Sequence, residues 1–149
     1  MMAVETIEPL SEQHQLFLHE KDSEVKGDCW RTALACLLGL PRNVVPHFVQ
    51  DYWSDDETDI AWWWASVEFV EKAFPGSTLV CLKPGFPVYE DPDNGLTRVI
   101  ISGKSPRGDF NHCVMADSRT GELTWDVYPN GNGVLTVEEV YAITDKPNG

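Results

Sequence analysis

Positive charge is what this chain has least of. Eleven lysines and arginines stand against 24 aspartates and glutamates in 149 residues, a formal net charge of −13. A surface of that sign repels phosphate backbones and disfavours direct nucleic-acid binding. Long apolar runs are missing too. Nowhere do eighteen apolar residues follow one another, so no membrane-spanning helix is expected. The opening Met1-Met2-Ala3-Val4-Glu5-Thr6-Ile7-Glu8 has neither a basic start nor an apolar stretch, which predicts no secretion signal. Cysteine is sparse: Cys29, Cys36, Cys81 and Cys113 lack the paired spacing of a metal site and are too few for a disulfide scaffold. Reduced thiols in a cytoplasm are expected, with no metal and no cofactor.

A chain of this length predicts a single domain over 1–149, able to bury about 68–70% of the surface its unfolded form exposes. Residues 1–26 read as a polar, irregular segment with one apolar patch at Leu16-Phe17-Leu18. The organising stretch follows, from Gly27-Asp28-Cys29-Trp30 to Leu37-Leu38-Gly39-Leu40-Pro41. Trp30, Ala33, Leu34, Leu37 and Leu38 recur at the spacing of a helix with one buried stripe, predicting a helix over 29–38. Asp28 is expected to cap its start, Gly39 to stop it, and Pro41 forbids its continuation.

Cys29 then lies in the first helical turn, among backbone N–H groups without partners at the positive end of the helix dipole, where thiolate is favoured. The dipole contributes only about 0.3–1 kcal/mol. One pKa unit is about 1.4 kcal/mol, so a thiol of ordinary pKa needs a cationic partner as well. Without one, a lone cysteine is core filler.

A second helix is expected over 60–74. There Trp63, Val67, Val70 and Phe74 repeat at helical spacing between Asp59, a capping residue, and the stop at Pro75-Gly76. Trp62, Trp63 and Trp64 cannot all face one side, so at least one should look away from the core. Together with Trp30, Trp62 and Trp63 are candidates to border a substrate groove. Ser77–Leu82 and Thr97–Ser102 read as strands. Between Ser102 and Gly108 lies a basic turn, whose Arg107 is a candidate for a substrate carboxylate or another anion.

Two alternating runs around Ser118-Arg119-Thr120-Gly121 give a hairpin signal. On its first strand Phe110, His112, Val114 and Ala116 share a face, with Cys113 on the other; on its second, Thr124, Asp126 and Tyr128 share a face. A loop of three or five residues brings His112 and Asp126 to the same side, whereas one of four separates them. A carboxylate there fixes one imidazole tautomer and favours its charged form, and the imidazolium in turn holds a thiolate. Cys29, His112 and Asp126 are therefore the candidate catalytic triad. A zinc site on these residues and Cys113 is disfavoured, because neighbouring strand residues point apart.

This order of a helix-initiating cysteine, a strand histidine and an aspartate on the next strand resembles the papain-like cysteine hydrolase superfamily. The chain is most similar to a family of small phage and bacterial proteins. The likeness rests on Gly27-Asp28-Cys29-Trp30, Val45-Pro46-His47-Phe48, the turn at Ser102–Gly108, His112-Cys113-Val114, and Gly121-Glu122-Leu123 running into Asp126-Val127-Tyr128-Pro129-Asn130-Gly131. It implies an α+β fold with a papain-like core, in which an N-terminal Cys-bearing helix packs on a small antiparallel sheet. It implies that fold and a candidate triad, not a substrate; from the triad itself we expect a hydrolase of peptides, isopeptides or side-chain amides acting through a thioester, in the cytoplasm of a bacterial or phage-infected cell. Papain-like enzymes place a glutamine about six residues before the cysteine to stabilise the oxyanion. Ser23 occupies that position, leaving Gln13 and Gln15 as candidates if the loop folds back, with the Cys29 N–H as one donor in any case. An aspartate as third member resembles the arylamine acetyltransferase and transglutaminase branches, so acyl transfer stays open beside hydrolysis. A non-catalytic acidic binding protein on the same fold, such as a phage protein occupying a host factor, is the rival reading.

Overall fold

The computed structural model describes residues 9–18, 26–56, 58–91 and 95–146. Ser23 lies outside them. Helix α1 runs over Cys29–Leu38 and ends at Gly39, whose left-handed conformation (φ 68) lets its N–H reach the Ala35 carbonyl. The expected cap at its start is corrected: Asp28 precedes α1, but its side chain makes no capping bond. Its carboxylate instead accepts the Phe17 N–H at 2.8 Å, and its own N–H donates to the Phe17 carbonyl at 3.0 Å. This fully buried aspartate clamps the N-terminal strap to the start of α1.

A 3-10 turn at Arg42–Val44 leads to the short α2, Phe48–Asp51, whose first turn is capped by the His47 ring. Helix α3 spans Ala61–Ala73, with the Asp59 carboxylate accepting the Ala61 N–H at 3.0 Å. Phe74, expected in its buried stripe, follows the last turn and stays 38% exposed. Of the three consecutive tryptophans, Trp64 faces solvent.

Five strands follow: β1 Ser77–Leu82, β2 Arg98–Lys104, β3 Asn111–Asp117, β4 Leu123–Asp126 and β5 Glu139–Asp145. They form one sheet in the order β1-β5-β2-β3-β4, antiparallel at every pairing. Strand β2 outruns its sequence-predicted end because Gly103 and Lys104 pair with His112 and Asn111. With its helices and antiparallel sheet, the fold is α+β.

The sheet has two apolar faces. One carries Ile100, Cys113, Met115 and Tyr141 and is covered by α1 and α3 through Trp30, Leu34 and Val70. The other carries Val99, Ile101, Val114, Ala116, Val140 and Ala142 and lies under loop residues including Phe86, Val88, Tyr89 and Val134. Tryptophan Trp30 anchors the first face: its indole N–H donates to Ser66 Oγ at 3.0 Å, and its ring meets Tyr141 edge-on at 4.7 Å. Burying strands on both faces explains why β2 and β3 read as nearly continuous apolar runs. Among the described residues no helix is long and apolar enough to cross a membrane.

Candidate active site

Helix α1 packs over β2 and β3, which sets its first residue above the end of β3 that carries His112 and Cys113. The half-buried Cys29 thiol lies beside Cys113 and His112 on one cavity wall, near enough for both to act on its ionisation. Strand alternation sends Cys113 toward the helix face and His112, with Val114, to the other. His112 is nonetheless the second residue of β3, opposite Gly103, so its ring reaches Cys29 at the sheet end.

Asp126 arrives by an irregularity. Next to the turn, Ala116 pairs with Leu123; continued regularly, that register would set Cys113, not Val114, opposite Asp126. A bulge between Met115 and Ala116 takes in Thr124 as an extra residue, after which Met115 pairs with Trp125 and Val114 with Asp126. Asp126 thereby moves onto the His112 face, diagonal to it, and its Oδ1 lies 2.7 Å from His112 Nε2. The loop-length rule alone would have missed this, since a bulge reverses its outcome.

The carboxylate is saturated. Oδ1 also accepts the Tyr128 N–H at 2.8 Å, and Oδ2 accepts the Gly133 N–H at 2.8 Å. The turn that delivers these donors passes so close that a β-carbon on Gly131 would stand 2.2 Å from Asp126 Oδ2, which is why glycine is needed there.

Charge follows from this arrangement. For His112, burial opposes protonation, but hydrogen bonds to Asp126 and Cys29 and the negative charge of both outweigh it, raising its pKa to about 9. Asp126 is also disfavoured by burial, yet its bonds to His112, Tyr128 and Gly133 hold it below the ordinary carboxylate range. The Cys113 hydrogen bond is the largest influence lowering the Cys29 pKa. Burial opposes it, and the His112 hydrogen bond and charge add to it. Cys113 moves the other way, pushed up by its bond to Cys29 and by burial. The two shifts run in opposite directions and favour ionisation at Cys29 over Cys113.

Sequence reading missed the role of Cys113, because alternation separates it from His112 and only packing shows that Cys29 spans both. Replacing Cys113 with alanine is expected to slow alkylation of Cys29 by iodoacetamide at pH 6 about tenfold, the effect of ~1.4 kcal/mol of lost thiolate stabilisation. Serine, which still donates, should recover most of the rate. An alkylation–pH profile unchanged by the alanine would show that His112 holds the thiolate alone.

Cys29, His112 and Cys113 open onto a cavity of about 730 Å³, whose wall also includes Gln15, Trp30, Trp62, Arg107 and Tyr128. The two upstream glutamines separate clearly. Gln13 is structural: its Nε2 donates to the Leu10 and Leu40 carbonyls and its Oε1 accepts the Arg42 N–H, so it is corrected as an oxyanion candidate. Gln15, only 8% exposed, reaches the cavity because Asp28 folds the strap back. Its Nε2 donates to the Phe17 carbonyl at 2.8 Å, and its buried Oε1 has no hydrogen-bond partner among the described residues. Trp63 is corrected too. It packs in the core against Trp30 and Tyr141 and does not border the cavity, whereas Trp62 does. Among the described residues, no three His, Cys, Asp or Glu side chains are grouped to hold a metal ion.

In comparisons with known proteins, the chain matches no family model, and neither a curated protein nor a solved structure shows significant similarity to it.

Proposed function

We propose that the protein is a cysteine-dependent hydrolase with a papain-like core, cleaving a peptide, isopeptide or side-chain amide through a thioester. The observation that carries this reading is that Cys29 and His112 share the wall of one cavity while His112 is bonded from behind by the buried Asp126. Each member has the charge its task requires. Cys29 attacks as thiolate, forming an S–C bond to the substrate carbonyl. The oxyanion is met by the Cys29 backbone N–H, which has no intrahelical partner at the helix start, and by the remaining N–H of the Gln15 amide. His112, protonated, donates to the leaving nitrogen as the C–N bond breaks, and Asp126 keeps its ring oriented throughout. Water, deprotonated by the now neutral His112, then attacks the thioester; the S–C bond breaks and a carboxylic acid leaves. An amine in place of water makes the same site an acyltransferase.

The test is to trap the acyl-enzyme. Incubation with 4-nitrophenyl acetate is expected to give a burst of nitrophenolate and one acetyl group on Cys29, located by peptide mass spectrometry. Gln15→Ala should slow acylation by about a hundredfold or more, the usual effect of removing one oxyanion donor. Acetylation spread evenly over the four cysteines would overturn the proposal.

A further inference from the structure

The candidate nucleophile shares its cavity with a guanidinium that no carboxylate among the described residues neutralises. Arg107 is half-buried in the turn after β2, held there as its backbone N–H donates to Ser105 Oγ at 3.1 Å and the Ser105 N–H donates to the Phe110 carbonyl at 2.9 Å. Its Cζ lies 3.5 Å from the centre of the Tyr128 ring. That ring in turn meets the His112 ring edge-on at 90°, with centroids 6.4 Å apart. One aromatic ring therefore separates Arg107 from the imidazole.

A partly buried arginine ordinarily acquires a partner, as Arg31 does from the Arg42 and Val45 carbonyls and Arg98 from the Ser11 and Cys36 carbonyls. The other cation of the same turn has done so: Lys104 Nζ lies 3.6 Å from Asp109 Oδ1. No described carboxylate lies within ion-pair distance of Arg107, which lines the cavity with its guanidinium stacked on the aromatic face of Tyr128. Stacking on a ring fixes the plane of the guanidinium and leaves its edge free. That edge is the fork that binds a carboxylate through two parallel hydrogen bonds.

We infer that Arg107 is a specificity residue that binds a free carboxylate on the substrate, so that the preferred amide carries an acidic group a few bonds from the scissile carbonyl. A chain terminus or an acidic side chain beside the bond has this chemistry. The inference rests on the hydrolase reading for its meaning, but the subsite is testable without turnover.

The probes are 3-maleimidopropionate and 3-maleimidopropionamide, which share one electrophile and differ by a single negative charge. Their rates of addition to Cys29 at pH 7 are read by peptide mass spectrometry, and the quantity of interest is the ratio of acid to amide. Arg107→Ala is expected to lower that ratio about tenfold, Arg107→Lys by less, and Arg107→Glu by more, as loss and reversal of a close charge pair require. Lys104→Ala removes the same unit of charge from the same turn and should leave the ratio in place, which separates a local subsite from the general field of the protein. A ratio equal in the wild type and in Arg107→Ala overturns the inference, as does an equal fall with Lys104→Ala. If Cys29 fails to form an acyl-enzyme while the ratio still depends on Arg107, hydrolysis falls and the carboxylate subsite stands. If acylation proceeds and the ratio is indifferent to Arg107, the reverse holds.

Discussion

Cys29→Ala is expected to abolish covalent chemistry in this protein, lowering turnover of any amide or activated ester at least about a thousandfold. Labelling by a thiol-directed electrophile at pH 6 should vanish with it. Cys36→Ala and Cys81→Ala should leave labelling intact, for different reasons. Cys36 is buried in α1 and accepts the Gln13 N–H at 3.3 Å, out of contact with the cavity. Cys81 is exposed, but burial of its sulfur against the sheet and the nearby charge of Glu139 raise its pKa, so it is a poor nucleophile at this pH. The pH profile adds a second signature. The thiolate–imidazolium pair exists from the lowered Cys29 pKa up to the His112 pKa of about 9. Acylation by an amide, which needs His112 as acid, should therefore fall as pH rises through about 9, while alkylation by iodoacetamide, which needs only thiolate, should not. Acylation that holds its rate above that pH would show that the imidazole donates no proton. Equal labelling of all cysteine variants would remove Cys29 from any special role.

Asp126→Asn should be nearly as damaging, and the reason lies in hydrogen-bond chemistry more than in shape. Three donors converge on the carboxylate: His112 Nε2–H, the Tyr128 N–H and the Gly133 N–H. An ionised carboxylate accepts from all of them; an amide has one accepting end and one donating end. If the amide oxygen faces His112 and Tyr128, its NH2 meets the Gly133 N–H donor to donor. If turned round, it forces His112 into the wrong tautomer. Either arrangement leaves buried donors unpaired at about 1–3 kcal/mol. The expected result is a loss of about 10²–10⁴ in kcat, with the alkaline limb shifted to lower pH because the carboxylate that raises the His112 pKa is gone. The sign is fixed: removing a negative neighbour can only lower the pKa of a cation. A limb that stays near pH 9 in Asp126→Asn would show that Cys29 alone sustains the imidazolium. Thermal unfolding measured beside kcat distinguishes misplaced chemistry from a collapsed sheet end.

Much of the scaffold was legible because it depends on short-range patterns. The stripe of Trp30, Ala33 and Leu34 has a period of 3.6, and Gly39 is the residue that enters a left-handed conformation at no steric cost, so α1 could be bounded from its own residues. The alternation around Ser118–Gly121 likewise announced β3 and β4. The function of Asp28 was less accessible. A capping residue is defined by local spacing, but this carboxylate bonds to Phe17, eleven positions back, and no local pattern encodes that partner.

By itself the sequence determined an acidic α+β chain with a cysteine at a helix start and a histidine and an aspartate on adjoining strands, since composition and periodicity are properties of neighbours along the chain. Tertiary structure alone decided that one bulged residue, Thr124, turns Asp126 toward His112, that the strap carries Gln15 and not Gln13 to the cavity, and that Cys113 joins Cys29 on the same cavity wall. The physical reason is common to all three. Side-chain parity, loop return and the docking of helix on sheet are set by packing between segments far apart in sequence, where the pattern of either segment is silent about the other.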